Sequence, residues 1–289
     1  MRSQATEPAE VQTSAPAEKS TGPLPSLDLP KGGGAIRGIG EKFGVNPATG
    51  AGSTTVPLPS SPGRAGFGPE LSIAYDSGSG NGLFGFGWTL SLPSITRKTD
   101  KGLPRYLDLG ESDVFLISGA EDLVPILDDA GKIISLPRAV HKVDYTIRPY
   151  RPRIEGLFTR IERWTEVSTG ISHWRTITKD NVTTIFGLDE KCRIADPQDA
   201  QRVFSYLIQL TYDDKGNATE YEYWQEDSAG INTAAANEAN RSVKSRGSQR
   251  YLKYIRYGNA TPYFTDWSAG GDPVALPAQW HTKMQILHC

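Results

Sequence analysis

The chain has 289 residues, with 31 Lys and Arg against 33 Asp and Glu and a formal net charge of −2. Its basic residues are dispersed and leave no electrostatic footprint for nucleic acid. Cys192 and Cys289 alone exclude a disulfide scaffold, and no stretch reaches the roughly twenty apolar residues needed to span a bilayer. Thirty glycines and twenty prolines among β-patterned segments argue for an all-β fold, a large antiparallel meander or sandwich-like assembly of many short strands with Gly/Pro-rich turns.

Residues 1–28, rich in Glu, Pro, Ala, Ser and Thr, bury too little apolar surface to offset the entropy of ordering and are expected to form a disordered arm. They hold no seven-residue apolar run and so no secretory core segment of the usual kind. One β domain is expected over 29–289. Gly32, Gly33 and Gly34 follow no strand and match no phosphate-cradling pattern, so they are read as a bend.

Extended segments are expected at 54–58, 71–76, 88–97, 113–118, 123–128, 132–136, 142–148, 157–167, 171–178, 182–187, 203–213, 218–226 and 250–258. Leu71, Ile73 and Tyr75 alternate with Ser72, Ala74 and Asp76 at the period of a half-buried strand. Asp76–Gly82 (DSGSGNG) then supplies residues that tolerate positive φ for a reversal. In Phe84-Gly85-Phe86-Gly87-Trp88 the rings are expected to share one face, and the bare glycine face to admit another backbone or an aromatic plate. Phe84, Phe86 and Trp88 are therefore contact candidates. Arg148 and Tyr150 in YTIRPYRPR and Tyr254 in RYLKYIRY join them, because Arg and Tyr are common interface anchors; amphipathic strand faces are the commoner explanation of such segments.

The strongest hairpin signal is Val203 to Glu226, with Asp214-Lys215-Gly216-Asn217 between two alternating runs and Gly216 or Asn217 at positive φ. Residues 228–249 read as a mobile loop or a short helix capped by Thr233. Beyond Gly258 irregular chain is expected, and KMQILHC opens an apolar run that reads as a truncated strand, with no partner or terminating turn following it. His141, His173, His281 and His288 are scattered without ligand spacing, and no G-x-S-x-G elbow occurs, so no metal, cofactor or catalytic residue is assigned. His173 beside Trp174 reads as a strand residue, and Cys192 as a small core or half-exposed thiol.

LPKGGGAIRGIGEKF, TGAGSTTVPLPSSPGRAGFGPELSIAYDSGSGNG and FGFGWTLSLPSITRKTDKGLPRY together resemble the amino-terminal SpvB-type domain that opens the B component (TcB/TcaC-like) of tripartite insecticidal toxin complexes. The resemblance continues through ESDVFLISG, RPRIEGLFTRIERW, HWRTITKDNVTTIFG and RYLKYIRYGN, covering roughly residues 30–262. It implies a virulence-associated, non-catalytic piece of a hollow shell that encloses a toxic polypeptide and docks on a pore-forming A component. Such a protein is made in the cytoplasm and becomes extracellular as part of the toxin complex. In the family a β-propeller and a long Rhs-repeat region follow this domain. Tyr212, Asp213, Gly216, Asn217 and Tyr221 also look like one YD (Rhs-type) repeat. Some SpvB proteins carry a carboxy-terminal ADP-ribosyltransferase with an E-x-E pair, a spelling matched by Glu220-Tyr221-Glu222, whose carboxylates would share a strand face. Ser53-Thr54-Thr55, the nearest match to that enzyme's Ser-Thr-Ser strand, lies far upstream. A transferase and a free-standing surface- or carbohydrate-binding module centred on Phe84–Trp88 are thus the alternatives.

Overall fold

The protein is described from a computed structural model over residues 42–45, 50–118, 121–154, 156, 158–267 and 274–286. The expected arm 1–28, the glycine bend, His288 and Cys289 lie outside these residues. The strands are β1 (Lys42–Val45), β2 (Gly52–Leu58), β3 (Leu71–Asp76), β4 (Asn81–Gly82), β5 (Gly85–Phe86), β6 (Trp88–Leu90), β7 (Ser94–Arg97), β8 (Phe115–Ile117), β9 (Glu121–Pro125) and β10 (Leu136–Val140). They continue as β11 (Val143–Pro152), β12 (Arg160–Glu166), β13 (Ser172–Ile177), β14 (Thr183–Phe186), β15 (Arg193–Asp196), β16 (Asp199–Tyr212), β17 (Ala218–Gln225), β18 (Arg250–Asn259) and β19 (Trp280–Gln285). All pair antiparallel, as the composition implied.

A small sheet runs β1-β2-β3-β6, and β4 and β5 form a separate ribbon. The large sheet closes on itself: β14, β13, β12, β11, β9, β8, β7 and β16 pair in succession, and β16 pairs back to β14. Closure follows from alternation. On β11 and β12, Tyr150, Ile161 and Arg163 point inward, while Ile147 and Trp164 point outward to a second cluster with Val140. Rings from four strands meet inside, with Trp174 4.9 Å from Phe115, 4.8 Å from Tyr150 and 6.2 Å from Tyr206. Beyond the ring, β17, β18 and β19 extend the sheet from β16.

Several boundaries differ from those the sequence implies. The run 88–97 is two strands in two sheets, separated by Ser91-Leu92-Pro93, because Pro93 brings no N–H to a ladder. At 132–136 only a bridge between Leu127 and Ile133 forms, and the strand proper starts at Leu136. It turns through His141 and Lys142, both at positive φ, without the Asn-Gly that would have announced a tight hairpin. The strand expected from 157 begins at Arg160, after Phe158 at φ 46°. The chain end at 280–285 is not an unpartnered strand, for β18 upstream is its partner, register Ile255↔Met284. Residues 228–249 hold a 3₁₀ turn (Ala236–Glu238) and a one-turn helix α1 (Val243–Arg246), capped reciprocally by Ser242 and Ser245, not by Thr233. Buried Arg246 anchors this segment through Glu238 at 2.7 Å.

Candidate functional site

Three clusters carry the chemistry of this surface. The first is the mouth of the closed sheet, over which the β7–β8 connection folds. Arg97 follows Ile95 on the inward face of β7 and is fully buried. It grips Asp108 with two bonds of 2.6 and 2.8 Å, Asp113 at 2.8 Å and the carbonyl of Val203 at 2.7 Å. Its guanidinium also lies 4.7 Å from the ring centres of Tyr106 and Phe115. Burial opposes its charge, but the bond and charge of Asp108 outweigh it and raise the guanidinium's pKa. Burial likewise opposes the Asp113 carboxylate, and the N–H groups of Arg105 and Tyr106 with Arg97 overcome it, leaving the carboxyl below its usual range.

Glu111 completes the latch. One oxygen accepts from Arg148 (2.5 Å) and Arg163 (2.6 Å), and the other accepts from the Tyr150 hydroxyl (2.6 Å). Glu111 sits at φ 48° and Tyr106 at φ 57°, strained positions that persist because these bonds hold the loop. Thr146, Thr165, Ser172 and Gln201 line the remaining mouth, a cavity of about 550 Å³. Tyr150, 2% exposed, is thereby corrected as a contact candidate, whereas Arg148, bonded to Glu111, still lines the mouth.

The second cluster is the β16–β17 turn. Asp213 Oδ1 accepts from the N–H groups of Lys215 and Asn217, and Oδ2 accepts from Asn217 Nδ2 at 2.7 Å. Gly216, not Asn217, takes the positive φ, and a Cβ there would stand 2.8 Å from Pro262 and 2.9 Å from the Phe264 ring. Arg64 reaches Asn217 Oδ1 (2.9 Å) and the carbonyl of Lys215 (3.1 Å), tying the small sheet's β2–β3 connection to this turn. Tyr212 packs on Tyr263, whereas Tyr221 belongs to the inner core. Nearby, Glu220 and Glu222 do share a face, as their spacing implied, and Arg256 from β18 bonds both, Glu220 at 2.8 Å.

The third cluster is aromatic. Gly85 at φ 98° and Gly87 at φ 77° break the expected alternation, so the three rings do not share a face. Phe86 is exposed, Phe84 packs against the core and Trp88 rests on Tyr75 at 5.2 Å. The bare glycine does admit both a backbone and a ring: a Cβ on Gly87 would meet the Tyr75 ring at 2.6 Å and the carbonyl of Asp76 at 2.8 Å. Tyr254 lies on β18 with Lys283 3.7 Å above its ring.

Elsewhere, His173 is a buried residue of β13 stacked on Trp164 at 5.9 Å, its pKa pushed down to about 3 by burial and by Arg193 and Arg175. Burial pushes the Cys192 thiol up to about 12. Among the described residues no cluster of His, Cys, Asp and Glu has metal-ligand geometry. Sequence reasoning missed the latch entirely. Its available signal was an arginine two residues after an isoleucine on inward-facing strand positions, in Ile95-Thr96-Arg97 and Ile161-Glu162-Arg163, together with the acidic run Asp108–Asp113.

The sequence matches the family described as Salmonella virulence plasmid 65kDa B protein over residues 46–285. The chain is 35% identical over 244 residues to the mono(ADP-ribosyl)transferase SpvB of Salmonella typhimurium, and at the same identity to that of Salmonella dublin. Each match takes in 81% of this chain and 38% of the relative, so the chain spans well under half the length of those proteins. Among solved structures it resembles the N-terminal domain of the effector SpvB from Salmonella typhimurium strain LT2 (TM-score 0.68, 34% identity), covering 78% of this chain and 69% of that one. It also resembles TcdB2-TccC3 (TM-score 0.69, 30% identity), covering 89% of this chain but 12% of that one. The Photorhabdus luminescens Tc holotoxin pore gives a TM-score of 0.68 at 30% identity, with the same coverage. The protein is therefore an all-β domain of the kind found at the N-terminus of SpvB and within TcdB2-TccC3. It belongs to the SpvB family.

Proposed function

We propose that this domain is a non-catalytic wall element of a toxin-complex B component, helping to enclose a toxic polypeptide that is delivered outside the producing cell through a pore-forming A component. The observation that carries this reading is that 89% of the chain superposes on TcdB2-TccC3, a far larger protein of which it spans 12%. A closed ring of strands has no open edge within it, which suits a wall that must not pair with an unfolded cargo. The β16–β17 hairpin with Asp213, Gly216 and Asn217 serves in this reading as a single YD-type unit.

The test is replacement. This chain is exchanged for the corresponding domain of a B component, and the product is examined for shell assembly and cargo protection from protease. An assembled, protective shell is expected; shells that form equally well without any such domain overturn the proposal. The transferase reading has one observation in its favour, the activity for which the SpvB relatives are named. NAD turnover by this chain, abolished in Glu222→Gln, would establish it; the ion pairs to Arg256 predict no turnover.

A further inference from the structure

The interior of the closed sheet is layered, and the layers follow from strand register. On β11, β12 and β13 the inward positions form three cross-strand rows: Tyr150, Ile161 and Thr176; then Arg148, Arg163 and Trp174; and at the mouth Thr146, Thr165 and Ser172. The outermost row is therefore all hydroxyl. Thr165 and Ser172 bond each other at 2.8 Å, and no described side chain bonds the Thr146 hydroxyl. The mouth cavity of about 550 Å³ rests against this row, within the roughly 300–1,000 Å³ of small-molecule pockets. Leu107 and Leu109 of the latched connection also line it, as does Gln201 of β16, whose Nε2 donates to the carbonyl of Thr169 at 2.8 Å.

Charge narrows what this cavity can take. The three guanidiniums of the latch, Arg97, Arg148 and Arg163, are matched by the three carboxylates Asp108, Glu111 and Asp113, and Glu166 adds a further carboxylate to the wall. An anion would find every guanidinium already paired, and a cation would enter beside Arg148 and Arg163. What the floor lacks is acceptors: Arg163, 2% exposed, keeps Nε and Nη1 without a hydrogen-bond acceptor, Asp108 Oδ2 standing 3.9 Å from Nη1. Oxygen above such a floor is favoured. Hydroxyls both donate and accept, so a row of them is complementary to a ligand that also carries hydroxyls.

We infer that the mouth of the closed sheet binds a neutral polyhydroxylated ligand, a mono- or disaccharide, with its hydroxyls on Thr146, Thr165 and Ser172 and its apolar C–H face on Leu107 and Leu109. The site is distinct from the Phe84–Trp88 run, whose rings do not share a face and so offer no continuous platform for a sugar. The inference stands apart from the shell reading, because it concerns a cavity within the domain itself.

The experiment is saturation-transfer NMR of the full chain with a panel of neutral, carboxylated and sulfated mono- and disaccharides, followed by calorimetric titration of the strongest binder. A neutral sugar should give the strongest transfer. Thr146→Val and Thr165→Val each remove a hydroxyl at nearly constant shape and, with unchanged circular dichroism spectra, should each weaken binding about tenfold, whereas Thr146→Ser should keep it. Phe86→Ala, in the exposed β4–β5 ribbon, should leave the affinity as it is. No transfer to any sugar, a preference for the acidic sugars, or unchanged affinity in both valine variants overturns the inference. Binding that Phe86→Ala removes would give the sugar to the aromatic-glycine run and overturn it too. None of these outcomes depends on shell assembly, so the two proposals fail separately.

Discussion

Arg97 and Arg256 each hold two carboxylates, in opposite surroundings. Arg97 binds Asp108 and Asp113 from a fully buried position inside the closed sheet, whereas Arg256 binds Glu220 and Glu222 on a partly exposed strand face. The bonds look alike, but the energetics do not. A surface pair is screened by water and contributes about 0–1 kcal/mol. A buried charge has lost its hydration, so removing one partner strands the other at a cost of about 3–5 kcal/mol. Arg97 therefore decides whether the β7–β8 connection stays folded over the mouth, and Arg256 chiefly neutralises two glutamates that would otherwise repel.

Arg97→Ala should give the largest effect, about 3–5 kcal/mol by urea unfolding, with faster amide exchange over residues 105–113. Should it cost under 1 kcal/mol, the contrast with Arg256 disappears. Gly216→Val should cost about 1–3 kcal/mol, since φ 81° is strained for a branched residue and the Pro262 and Phe264 contacts leave no room.

His173 sharpens the comparison from the neutral side. Its folded pKa of about 3 lies below the unfolded value near 6.5, so between these pH values the unfolded chain binds the extra proton. Stability should consequently fall by about 1.4 kcal/mol per pH unit as pH drops below 6.5, and His173→Gln should flatten that slope in pH-dependent unfolding. Asp113, whose carboxyl is depressed, contributes stability that is present above its unfolded pKa and lost only as pH falls through its folded value. Its loss belongs to the acid end of the same titration. Arg256→Gln should be the mildest change, within about 1 kcal/mol, and less in high salt.

The strands with strict alternation are legible in the residues alone, β3 with Leu71, Ile73 and Tyr75 being the clearest, and so is the Asp213–Asn217 reversal, because local turn chemistry specifies both. What stays hidden depends on residues far apart. No local pattern says that Arg97 meets a carbonyl at Val203, or that Tyr150, followed by arginine and proline, lies in the core. The aromatic-glycine run misleads for a different reason. Period two presumes a continuous strand, and positive φ at Gly85 and Gly87 breaks it. The inward parity of Arg97 and Arg163, with the acidic run Asp108–Asp113, holds usable information about the mouth, because charged residues at core-facing positions require partners.

The pairing of β7 with β16 also sets a timetable. Thr96 and Ser205 touch across 109 residues of chain, and the ring cannot close until β16 has been made. At ribosomal rates of roughly 5–20 residues per second, β7 waits about 5–20 seconds for its neighbour. During that interval its unpaired backbone edge is available to any other strand, so this domain is exposed to mispairing while it is still being synthesised.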